Sequence, residues 1–138
     1  MMKTNRISAT TLLLSFCLLF SCDKSDEKGP NLTGTWKLTQ SESYDCDVAT
    51  DNGVKVCGTF AWCTTITFKS DGTFEVFRTS DNFKLGAGTY AYSNGMLITT
   101  FTGSSGTTRP ATINGNTMVI NNTSATASCS SNDTYQKI

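Results

Sequence analysis

The sequence predicts an all-β fold behind an N-terminal export segment: an eight-stranded, antiparallel, up-and-down barrel. Three observations predict it. Turn-forming clusters such as Ser70-Asp71-Gly72, Ser93-Asn94-Gly95 and Asn114-Gly115 recur at short intervals. The runs between them alternate apolar and polar side chains. Beyond Pro30 no stretch of ten or more residues carries a helical pattern. Threonine, serine, glycine and asparagine are abundant while leucine and alanine are sparse, which suits short strands joined by tight turns.

The elements follow in order. Lys3 and Arg6 precede a nearly unbroken apolar run over residues 11–20. As a helix that run spans about 15 Å, half the hydrocarbon core of a bilayer, so it suits an export signal and not a membrane span. It ends in Leu19-Phe20-Ser21-Cys22, which is similar to a lipobox, where a small residue precedes the cysteine that receives diacylglycerol. Residues 1–21 are therefore expected to be a lipoprotein signal peptide, with Cys22 the lipidated N-terminus. Residues 22–30 are polar and charged, without side chains to bury, and are expected to form a flexible tether. The remaining residues, 31–138, are enough for one domain with a modest core.

Eight β-rich runs are predicted within that domain, over residues 35–44, 64–69, 73–79, 88–92, 96–102, 107–113, 117–120 and 128–137. Alternation assigns one face to Trp36, Leu38 and Gln40, then Ile66 and Phe68, Phe74 and Val76, Tyr90 and Tyr92, Leu97 and Phe101, Ala111 and Ile113, and Met118 and Ile120. The opposite positions are mostly Thr, Lys, Glu or Ser, so one face is buried and the other wet. Sequential antiparallel strands with one apolar face remove both edges by closing on themselves. A two-sheet β-sandwich satisfies the same alternation and stays open as the alternative. Pro110 falls inside the sixth run and predicts a bulge or weak pairing there.

Cysteine and charge narrow the setting. With Cys17 in the leader and Cys22 lipidated, Cys46, Cys57, Cys63 and Cys129 remain, an even number in an exported domain, which reads as two disulfides with three pairings open. The chain has no histidine and no Cys-x-x-Cys pair among these four, which argues against zinc. Asp45, Asp47 and Asp51 do not match an EF-hand spacing, so no metal is expected. Without Lys3 and Arg6 the chain carries 9 basic and 11 acidic residues, a net charge of about −2 that gives no reason to expect nucleic acid.

The domain opens with Asn31-Leu32-Thr33-Gly34-Thr35-Trp36-Lys37-Leu38, which resembles the start of lipocalin-like proteins, where Gly-x-Trp begins the first strand. The phrases at residues 66–74 and 88–92 are similar to short lipocalin-like lipoproteins of the Bacteroidota type. The resemblance covers residues 31–138. It implies that Trp36 closes the barrel floor, that Gly34 lets the backbone turn beneath it, and that Lys137 lies over the indole ring where the family prefers arginine. It also implies that the first strand neighbours the last. That would put Cys46 beside Cys129 and leave Cys57 with Cys63, while Cys46 with Cys57 and Cys63 with Cys129 stays open. An acidic cluster after Cys22 resembles the Bacteroidota surface-export signal, so the expected address is the outer membrane, lipid-anchored, on the periplasmic face or the cell surface.

Function is expected to be binding and not catalysis, because no histidine base, nucleophile motif or phosphate loop is present. A small apolar or amphipathic ligand would lie in a pocket lined by Leu38, Phe68, Phe74, Tyr90, Tyr92, Phe101 and Met118, opening under the loop 45–62. The alternative is a filled barrel that presents this loop or its outer face to a protein or glycan. No cofactor is expected, and the protein is expected to be monomeric.

Overall fold

Asn-Gly and Asp-Gly reverse the chain where the sequence expects. Asn94 and Gly95 both take positive φ (51° and 74°), the conformation of a tight hairpin turn, which asparagine and glycine adopt at least cost. The computed structural model describes residues 31–58, 62–123 and 128–138. The segments expected to be a leader and a tether, with Cys22 the expected lipidation site, lie outside these residues.

Nine strands are present among the described residues: β1 Gly34–Tyr44, β2 Gly53–Val56, β3 Thr64–Phe68, β4 Thr73–Arg78, β5 Lys84–Ser93, β6 Met96–Phe101, β7 Thr107–Asn114, β8 Thr117–Asn122 and β9 Ser130–Lys137. A single 3-10 turn at Ala49–Asp51 precedes β2. From β3 to β9 each strand pairs antiparallel with the next. β9 then returns to β1, from Trp36 opposite Lys137 to Tyr44 opposite Ser130. The sheet closes on itself, so the fold is a barrel and not a sandwich.

The other edge of β1 is divided. β3 takes its first half, Gly34 opposite Phe68 through Lys37 opposite Thr65. β2 takes its second half, Gln40 opposite Val56 through Ser43 opposite Gly53. β2 and β3 thus lie end to end in one place of the wall, and the barrel has eight places although it has nine strands. The stretch expected to be one long loop is therefore partly strand. Disulfides join Cys46 to Cys129 and Cys57 to Cys63. The second clamps the excursion between β2 and β3. The first ties the far end of β1 to the entry of β9.

Two irregularities shape the interior. A bulge between Leu38 and Gln40 shifts the register of β1 against β9. Beyond it the buried position is Ser41, not Gln40 as strict alternation expects, because one extra residue changes which parity faces inward. In β5 and β6 the backbones approach closely: a Cβ at Gly88 would sit 1.9 Å from the Thr100 carbonyl oxygen, and one at Gly86 would sit 2.8 Å from the Phe101 ring. The core gathers Leu32, Trp36, Leu38, Phe68, Phe74, Val76, Leu97, Ala111, Met118, Ile120 and Tyr135, with Ile66, Tyr90, Tyr92 and Ile113 packed against it. Fully burying one large apolar side chain of this kind contributes about 1.5–3 kcal/mol.

Candidate functional site: the barrel mouth

The two ends of the barrel differ. At the floor, Trp36 is fully buried and its Nε1 donates to the Leu32 carbonyl at 2.8 Å. The Lys137 ammonium lies 5.2 Å from the centre of the Trp36 ring and donates to the Asn31 carbonyl at 3.3 Å. Gly34, at φ 129°, leaves the space the lysine stem occupies; a Cβ there would stand 2.6 Å from Lys137 Cε. Gly34, Trp36 and Lys137 thus come together, and the entering chain seals this end.

At the opposite end lies a half-open cavity of about 60 Å³. Its apolar wall is Ile66, Phe68, Phe74, Val76, Leu97, Phe101 and Ile120, and its polar wall is Thr99, Arg109, Asn122, Asp133 and Tyr135. Phe101 stands at the lip, half-exposed, with its ring edge-on to Phe74 at 5.0 Å and its flank over Gly86, which has no side chain to displace it. Of the residues the sequence assigns to a pocket, Phe68, Phe74 and Phe101 line this cavity. Leu38, Tyr90, Tyr92 and Met118 do not; they pack in and against the core below it. Tyr90 and Tyr92 turn their hydroxyls to the carbonyls of Lys69 and Ala111. No described residue of the stretch 45–62 lines the cavity, and β2 lies along β1 instead of arching over the mouth.

The polar wall escapes a reading that looks only for apolar alternation. Its members share parity with apolar inward neighbours: Arg109 with Ala111 and Ile113, Asn122 with Met118 and Ile120, Asp133 with Tyr135. Carrying the alternation past the apolar residues would have found them.

The hydrogen bonds leave the two charges in different states. Asp133 Oδ1 accepts from Ser41 Oγ at 2.5 Å, and Oδ2 accepts from Asn122 Nδ2 at 2.7 Å. Each carboxylate oxygen already has a donor from the wall. Arg109 is exposed, and among the described residues its guanidinium makes neither hydrogen bond nor ion pair. Burial pushes the Tyr135 phenol up to about 12 and the Asp133 charge adds to this, while a hydrogen bond with Thr64 and the Arg109 charge pull the other way. Tyr135 therefore stays neutral at ordinary pH.

The wall is also incomplete beside Arg109. β7 pairs with β6 over residues 107–110, but its ladder to β8 begins only at Ala111 opposite Ile120. Ala111 N donates towards β6, to the Gly95 carbonyl, so the next amide along, that of residue 110, would face β8. Residue 110 is proline and has no N–H to give. The ladder stops where the donor is missing, and residues 107–110 are all exposed. The expected weak pairing at Pro110 is present, and it leaves no ladder between β7 and β8 from Arg109 to Asn122.

Among the described residues no group of three or more His, Cys, Asp or Glu is placed to hold a metal ion, and no helix is long and apolar enough to cross a membrane. The arrangement suits non-covalent binding: an apolar wall, free guanidinium donors and an aromatic lip. No curated protein and no solved structure matches the chain. A family profile described as a lipocalin-like domain matches residues 32–120, from the floor to β8. With that match over most of the chain and a closed antiparallel barrel behind it, the protein belongs to the lipocalin-like domain family.

Proposed function

We propose that the protein is a membrane-anchored, lipocalin-like binder of one small amphipathic molecule, held by lipid at Cys22 and taking its ligand end-on at the barrel mouth. Membership of the lipocalin-like family suggests ligand binding in general. The observation that carries the narrower reading is the cavity itself. An apolar and a polar wall converge on one half-open space while the interior below is packed. Its 60 Å³ falls far short of the roughly 300–1,000 Å³ that enclose a drug-sized ligand. The site thus takes a very small molecule, or the end of a larger one whose body stays outside.

Two disulfides suit an oxidising, exported setting. We place the protein at the outer membrane, on the periplasmic face or the cell surface, as a monomer with no nucleic-acid partner and no catalytic role. Residue 31 arrives at the floor, so the mouth faces away from the end that the tether joins.

Native mass spectrometry of the protein purified from its host tests this. The expected result is a small-molecule adduct that is lost in Phe101→Trp, whose larger ring intrudes on the cavity. Bare protein in both samples, with no response of Leu97 or Ile120 signals to any small amphiphile, would remove the reading. A second reading rests on Val54, Val56, Trp62, Phe83 and Leu85, which are exposed around the same end. A filled barrel that docks a protein or glycan through this rim would show no adduct and would lose its partner when rim side chains become polar.

A further inference from the structure

We infer that the mouth recognises a carboxylate, with Arg109 as its anchor and the gap beside Pro110 as the way in; this rests on the binding function proposed above and names the chemical group it takes. The argument begins from unused hydrogen-bonding capacity. Ser41 and Asn122 each supply a donor to one oxygen of Asp133, and the cavity's other donors are the neutral Thr99 and Tyr135. Arg109 brings five N–H donors in a planar fork and, among the described residues, has no acceptor for them. The unpartnered guanidinium is the cavity's only cation and can only donate, so the ligand group that engages it is an acceptor that carries negative charge. Guanidinium matches a carboxylate through two parallel hydrogen bonds.

Size and shape narrow the choice further. A space of 60 Å³ admits a carboxylate with a few carbons and no more. Those carbons would meet Leu97, Phe101 and Ile120 on the apolar wall, while the carboxylate stays at the gap in the ladder next to Arg109. The same gap relieves the desolvation penalty, because an anion held there keeps part of its water. Asp133 is the opposing charge. Its negative charge weakens the site but does not occupy the guanidinium, since no ion pair joins it to Arg109 among the described residues. The ligand class is therefore a short straight-chain monocarboxylic acid, or a longer molecule ending in such a group whose body stays outside.

The test titrates the isotope-labelled full chain with straight-chain monocarboxylates from butyrate to decanoate and with the matching primary alcohols, read by amide and methyl shifts. Acids are expected to bind about tenfold more tightly than alcohols of equal length, the scale of a charge-assisted pair that remains partly solvated. Shifts should concentrate at Leu97, Thr99, Phe101 and Ile120. Arg109→Gln should bring the acids down to the alcohols and leave the alcohols unchanged. Arg109→Lys should fall between, and Asp133→Asn should tighten the acids alone. Because Arg109 is exposed and unpaired, its replacement leaves the fold intact, which unchanged spectra away from the mouth confirm. Alcohols that bind as well as acids, or an Arg109→Gln protein that still prefers acids, would overturn the carboxylate anchor while sparing the binding function. If neither series shifts any mouth resonance, both readings fail together.

Discussion

Gly34 has no room for a methyl group. Its φ of 129° is one that L side chains rarely adopt, and an added Cβ would drive the lysine stem off the indole. Gly34→Ala is therefore expected to cost about 1–3 kcal/mol in a urea unfolding experiment, with the near-ultraviolet signature of Trp36 altered. Tyr135 makes a prediction of a different kind. Its phenol is raised from 10 to about 12, so the folded protein keeps a proton that the unfolded chain gives up. The stability that this contributes is whole below pH 10 and is lost as pH rises towards 12. The slope in that window should approach about 1.4 kcal/mol per pH unit, and Tyr135→Phe should flatten it. At this scale the sequence was legible wherever burial coincided with an apolar side chain, as at Trp36, Phe68 and Met118. It was harder to read at Ser41, Asn122 and Asp133, where a polar residue holds an inward place and is satisfied by a partner on another strand, and at Arg109, whose guanidinium has no partner among the described residues.

Strands were legible where both faces left a mark. β3, β4, β6 and β8 alternate over most of their length and fall within a residue or two of where the pattern puts them. β5 starts at Lys84, earlier than its tyrosines suggest, because its first inward places are Gly86 and Gly88, which carry no hydropathy signal. β2 left no mark, since all four of its residues are exposed and a run so short has no period to read. The break between β7 and β8 was visible in one residue. Pro110→Val supplies the missing N–H and should extend the ladder to Asn121, with the new amide at position 110 protected from hydrogen exchange. An amide there that exchanges at the free rate would show that proline is not what holds the gap open.

Closure was legible for the whole molecule through the expected adjacency of the first and last strands. The size of the cavity was not, because it depends on how rings from different strands settle against one another and not on any local pattern. The two disulfides act on the whole chain unequally. Cys46 and Cys129 are 83 residues apart, Cys57 and Cys63 only 6. If cross-links act mainly by limiting the unfolded chain, replacing the first pair with serine should cost about 4.5 kcal/mol and the second about 2.2 kcal/mol. Equal losses in denaturant titrations would show that native packing around the sulfurs outweighs chain entropy.

Because β1 and β9 lie side by side, the two extremities of the folded domain emerge together, with Lys137 touching Asn31 and the Ile138 amide bonded to Thr35. Anything fastened to either extremity, whether an acyl group, a bead or a fused protein, hangs from the sealed face. The opening at the other pole then stays clear for traffic, however the molecule is tied down.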